Sequence, residues 1–112
     1  MTVNDIREKI GASLVCGDGD KPFDGLYVGD LLSRAMSRVE SDNLWVTIMS
    51  NVNVIAVACL TDPAAVILAE GVELGAEELQ KATDNGITVL STELSAYEIC
   101  GVVYSAVAEN NL

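Results

Sequence analysis

Residues 44–69 read LWVTIMSNVNVIAVACLTDPAAVILA, and the spacing inside this stretch decides the fold. Leu44-Trp45-Val46-Thr47-Ile48-Met49 is β-rich and mostly apolar on both faces, the pattern of a strand buried on both sides. Ala65-Val66-Ile67-Leu68-Ala69 has the same character. Between them, the run from Val52 to Leu60 suits either a buried strand or a buried helix by pattern alone. Two parallel strands need a crossover of roughly a dozen residues, so spacing favours a helix.

The same cadence continues downstream. Gly75 to Asn85 carries helix punctuation at both ends: Gly75 as N-cap, Glu77 and Glu78 in the first turn, and Gly86 as the stop. Leu74 and Leu79 are spaced for a hydrophobic staple. Ile87-Thr88-Val89-Leu90 is expected as the last strand. Ser95 to Glu98 reads S-x-x-E, a capping box that opens a final helix to about Ala108. Upstream, Asn4 to Ile10 is expected as one or two helical turns ended by Gly11, and Ser13-Leu14-Val15-Cys16 as a first strand. Gly17 to Gly25 is dense in turn formers and must be a loop. From Asp30 to Val39 the apolar positions Leu31, Leu32, Ala35, Met36 and Val39 recur at helical spacing, leaving Ser33, Arg34, Ser37 and Arg38 to water. Strand starts at 44, 65 and 87 predict an α/β domain, with a mainly parallel sheet of about four strands covered by helices.

The chain has 112 residues, half of them apolar, and a mean hydropathy of +0.34. That suffices for one domain with a real core, spanning residues 1–112, and excludes a disordered tail. No apolar run approaches the roughly 18 residues of a membrane span, and the acidic start MTVNDIREKI is no export signal. A cytoplasmic protein is expected. Seventeen acidic against six basic residues give a net charge of −11, which repels phosphate backbones and anionic headgroups, so neither nucleic acid nor membrane is an expected partner. Only Arg34 and Arg38 form an i, i+4 cationic pair.

Without histidine, Ser-His-Asp triads and zincin motifs are absent. Cys16, Cys59 and Cys100 form no CxxC pair and are expected as buried thiols rather than metal ligands. Asp18, Asp20 and Asp24 suggest a calcium loop, but Pro22 and Phe23 occupy the places of a further oxygen ligand and a glycine. Gly17, Gly19 and Lys21 lack the spacing of a phosphate loop, and Pro22 stands where a hydroxyl would hold magnesium. No metal and no cofactor is expected. Glu73, Glu77, Glu78 and Asp84 read as a solvated helix face and define no catalytic pair. Trp45 reads as core.

Ligands of open parallel sheets bind beyond the carboxyl ends of the strands, which here carry Asn51 and Asn53 after one strand and Ser91 and Thr92 after another. Those four are the candidate ligand-binding residues, with capping the competing reading. The final helix is apolar nearly all round, which points to self-association through Tyr97, Cys100, Tyr104 and Val107.

Gly29-Asp30-Leu31-Leu32-Ser33, Trp45-Val46-Thr47-Ile48, Asn53-Val54-Ile55-Ala56-Val57-Ala58, Leu90-Ser91-Thr92 and Ala96-Tyr97-Glu98 fall in an order that resembles the small DRTGG-domain proteins. The likeness covers roughly residues 25 to 108, although the string DRTGG itself is absent. Related domains occur beside CBS modules in some pyrophosphatases and in the N-terminal part of some phosphotransacetylases, and are similar to the N-terminal domain of HPr kinase. The resemblance implies a regulatory or dimerisation module and no catalytic residue. The expected function is therefore non-enzymatic: a homodimer that senses a nucleotide or other small metabolite at the strand ends. The alternative is an interaction module that assembles an enzyme complex without a small ligand.

Overall fold

The computed structural model describes residues 1–110. Its elements run α1 (Val3–Lys9), β1 (Ser13–Cys16), β2 (Leu26–Val28), α2 (Leu32–Arg38), β3 (Leu44–Thr47), α3 (Val52–Thr61), β4 (Ala65–Leu68), α4 (Ala76–Asp84), β5 (Val89–Ser91) and α5 (Ala96–Asn110). The strands form one sheet in the order β1-β5-β4-β3-β2. β2 to β5 are parallel, and β1 adds antiparallel to β5 at the far edge. The run from Val52 to Leu60 is indeed a helix.

Alternation along the central strands sorts the core into two layers. Leu44, Val46, Ala65, Ile67 and Leu90 pack on one face with Val3 and Ile6 of α1 and Ile99, Val103 and Ala106 of α5. Trp45, Val66, Leu68 and Val89 pack on the other with Ala35 of α2, Val54 and Ala58 of α3, and Ala82 of α4. Trp45 is fully enclosed, and its indole N–H donates to the Gly29 carbonyl at 3.1 Å.

Reciprocal caps open the first and last helices. Thr2 and Asp5 form a reciprocal capping box on α1. The Ser95 amide donates to Glu98 Oε1 at 3.1 Å, and the Glu98 amide donates to Ser95 Oγ at 3.2 Å, which opens α5 as its motif predicts.

Several expectations are corrected. A fifth strand, β2, lies just after the loop of residues 17–25 and pairs with β3 from Leu26↔Leu44 to Val28↔Val46. β5 starts at Val89 rather than at Ile87. Leu31 is 66% and Met36 52% exposed, because α2 lies over the β2–β3 end of the sheet with α3 as its main neighbour. None of the thiols is fully buried: Cys16 and Cys100 are half-buried, and Cys59 is exposed at the end of α3, past the buried stripe. Burial pushes the Cys16 and Cys100 thiols up from their ordinary values.

Candidate functional site

Parallel pairing brings the carboxyl ends of β2 to β5 to one end of the sheet. At the β3 end, the Thr47 hydroxyl donates to Asp30 Oδ1 at 2.6 Å, and the same oxygen accepts from the Ile48 amide at 2.9 Å. Asp30 thereby ties the exit of β2 to the exit of β3. Asn51 is the N-cap of α3, its side-chain oxygen accepting from the amides of Asn53 at 3.0 Å and Val54 at 3.3 Å. Asn53 is exposed in the first turn of α3.

The β5 end is built differently. Ser91 Oγ donates to the Val72 carbonyl at 3.0 Å. Thr92 is buried, its hydroxyl donating to the Ile10 carbonyl at 2.7 Å and accepting from the Leu94 amide at 3.3 Å. Two further bonds, from Glu70 N to Leu94 O and from Gly71 N to Thr92 O, staple the loop after β4 to the loop after β5. Glu70 and Gly71 both take left-handed backbone, and a Cβ on Gly71 would lie 2.7 Å from Glu93 Oε2. Only glycine allows the Glu93 carboxylate that close.

A cavity of about 360 Å³ opens here, lined by Ser13 and Val15 of β1, Glu73 and Leu74 after β4, and Ser91, Thr92 and Glu93 after β5. The structure brings Ser91 and Thr92 together in it. Asn51 and Asn53 do not line it, because β4 separates β3 from β5. Ser13 escapes sequence reasoning, since only the antiparallel Ser13↔Ser91 register carries β1 to this place; Glu73, expected on a solvated helix face, lies before α4 and lines the cavity instead. The lining offers carboxylates and hydroxyls and no cation. The first amides of α3 and α5 are engaged by their own caps, so an anion at either helix start has to displace a side chain. Among the described residues no group of His, Cys, Asp and Glu is placed to hold a metal ion, and no helix is long and apolar enough to cross a membrane.

The bond from Thr92 makes a direct prediction. Thr92→Val keeps the shape but leaves the buried Ile10 carbonyl without its donor, which costs about 1–3 kcal/mol. Thermal denaturation should show a Tm lower by several degrees; an unchanged Tm would show that this hydroxyl carries no structural role.

On α5, the spacing of Tyr97, Cys100, Tyr104 and Val107 sets them on one stripe. Tyr97 is 88% and Tyr104 80% exposed, while Cys100 and Val107 are half-buried beside a groove of about 390 Å³ floored by Phe23, Leu26 and Val103. The stripe carries no charge.

A family model described as the DRTGG domain matches residues 5–106. Among solved structures, the chain is similar to the CBS and DRTGG domains of the regulatory region of Clostridium perfringens pyrophosphatase, complexed with its activator, diadenosine tetraphosphate. The TM-score is 0.73 at 13% sequence identity, over 91% of this chain and 45% of that one, so the chain spans less than half the length of that structure. No curated protein matches the chain.

Proposed function

The chain belongs to the DRTGG-domain family, and on that premise we propose that it is a non-enzymatic regulatory module that senses a small molecule at the carboxyl ends of its parallel strands. The observation that carries this reading is the cavity at the shared end of β1 and β5, where Ser13, Ser91 and Glu93 converge. The regulatory region with the same fold binds a dinucleotide activator, which makes a nucleotide the first ligand class to test. The cavity chemistry sets its orientation. Hydroxyls and carboxylates accept ribose hydroxyls and base N–H groups, whereas Glu73 and Glu93 repel phosphates. A nucleotide therefore enters base or ribose first, with its phosphates toward solvent.

Calorimetric titration with adenosine, ATP and diadenosine tetraphosphate tests this. Binding is expected, with adenosine losing little affinity relative to ATP. The double variant Ser13→Ala with Ser91→Ala should weaken binding about tenfold, two lost hydrogen bonds at about 0.5–1.5 kcal/mol each. Unaltered affinity in that variant would remove the proposed site.

The working unit of the module is a homodimer, formed by a second copy packing on the α5 stripe. In a chain of net charge −11, a face lined by Tyr97 and Tyr104 lets two copies approach through apolar contact, with the carboxylates of Asp24 and Glu98 at its rim. Cytoplasmic residence fits the half-buried and exposed free thiols. The second reading, an assembly module with no small ligand, draws on the same α5 stripe and differs in leaving the β1/β5 cavity empty.

A further inference from the structure

We propose that the outer edge of β2, together with α2, docks an extended acidic segment of a partner protein as an additional strand. This surface is separate from the β1/β5 cavity and borders the α5 stripe, since Leu26 also floors the groove beside that stripe. Two independent features meet on it, an open hydrogen-bonding edge and a pair of cations without an ion-pair partner.

The open edge follows from the pairing of β2. The Gly25 carbonyl accepts from the Leu44 amide and the Gly29 amide donates to the Val46 carbonyl, so alternate residues from Gly25 to Gly29 face β3. Leu26 and Val28 turn their N–H and C=O groups outward, where the sheet ends. The other edge is protected: β1 shifts register between Leu14 and Cys16, an irregularity that spoils a template. β2 has no such bulge, no proline and no charged residue, and Val28 is 47% exposed.

The cations lie on α2. Arg34 and Arg38 are exposed, α2 contains no acidic residue, and the only ion pair among the described residues joins Lys81 to Glu77 on α4. In a chain with seventeen acidic side chains, these are two guanidinium groups one turn apart with no ion-pair partner, flanked by Asp30, which is held by Thr47, and by Glu40 beyond the helix end. Their position follows from the helix. Leu31, Arg34 and Arg38 share a stripe about a quarter-turn from the buried Ala35 and Val39. With α2 packed beside α3 and the β2-to-β3 crossover right-handed, that stripe faces away from α3, over the free edge of β2.

The spacing then selects the occupant. Arg34 and Arg38 are separated by about 6 Å along the helix, close to the roughly 6.6 Å between alternate side chains of a strand. A strand added to β2 with acidic residues at alternate positions places them against Arg34 and Arg38, and its intervening apolar residues meet Val28. A second copy paired edge to edge about a two-fold axis normal to the sheet would instead bring arginine pairs together, like charge against like.

The test is fluorescence anisotropy of the full chain with a labelled decapeptide of alternating glutamate and valine. The peptide is expected to bind, the corresponding lysine–valine peptide is not, and Arg34→Glu with Arg38→Glu should weaken binding more than tenfold. Those positions are exposed, so circular dichroism should show the double variant folded. Val28→Pro, which removes one outward amide, should weaken binding as well, and N-methylation of alternate peptide amides should do the same without altering the protein. Absence of binding, equal binding to the double variant, indifference to N-methylation, or preference for a decathymidylate oligonucleotide would each overturn the proposal.

Discussion

Trp45→Ala is expected to bring the domain to the edge of unfolding at room temperature. Trp45 is completely enclosed among Ala35, Val54, Val66 and their neighbours, and no surrounding side chain can reach across the space that an indole leaves. Truncations of this kind cost about 3–5 kcal/mol. The Gly29 carbonyl also loses its 3.1 Å partner at the mouth of β2, which adds about 1–3 kcal/mol if water cannot replace it. Against a total stability of about 5–15 kcal/mol for a domain, most of the margin disappears. Urea denaturation followed by circular dichroism measures this. A midpoint close to that of the unsubstituted chain would mean that the layer between the sheet and α2–α4 is not the keystone described here.

Tyr104→Glu is the second large effect, and it acts on association rather than folding. Tyr104 is 80% exposed in the monomer, so the substitution leaves the core untouched. In the proposed dimer it buries a carboxylate near its symmetry mate, and truncation at such anchors costs about 2 kcal/mol or more, roughly 30-fold in dissociation constant. Sedimentation equilibrium should give twice the 11.8 kDa chain mass for the unsubstituted protein and the chain mass for the variant. A monomeric unsubstituted chain at micromolar concentration would remove the homodimer.

How much of this was legible beforehand depends on the range of the interaction involved. The strands at Leu44, Ala65 and Ile87–Val89 are legible as short, β-branched-rich apolar runs buried on both faces, although that pattern alone leaves the run at Val52 open. The ambiguous run at Val52 is settled by the length a crossover requires. Ser95 and Glu98 start α5 through bonds across three residues, so a local motif reads them correctly. β2 is different: three residues after a turn-rich loop show no period, and only the Tyr27↔Trp45 register makes them a strand. Ser13 joins Ser91 for the same long-range reason. Leu31 and Met36 were misplaced because helical spacing shows that a side could be buried but not how many neighbours are there to bury it. Among the four strand-end residues, sequence order grouped Asn51 and Asn53 with Ser91 and Thr92, and the intervening β4 divides them. Thr92, read as a ligand contact, spends its hydroxyl on Ile10.

We propose that the β1/β5 end of the sheet holds a small molecule, and a thermal-shift screen checks this. The unsubstituted chain and Ser91→Trp, which fills the cavity from its own wall, would be screened against adenine and guanine nucleosides, nucleotides, diadenosine tetraphosphate, coenzyme A and acyl phosphates. A ligand at about 100 times its dissociation constant adds roughly 2.7 kcal/mol, which raises Tm by several degrees or more in a domain of this size. The expected result is that at least one compound stabilises the unsubstituted chain and fails to stabilise Ser91→Trp. No stabilisation by any compound, or equal stabilisation of both proteins, would contradict it.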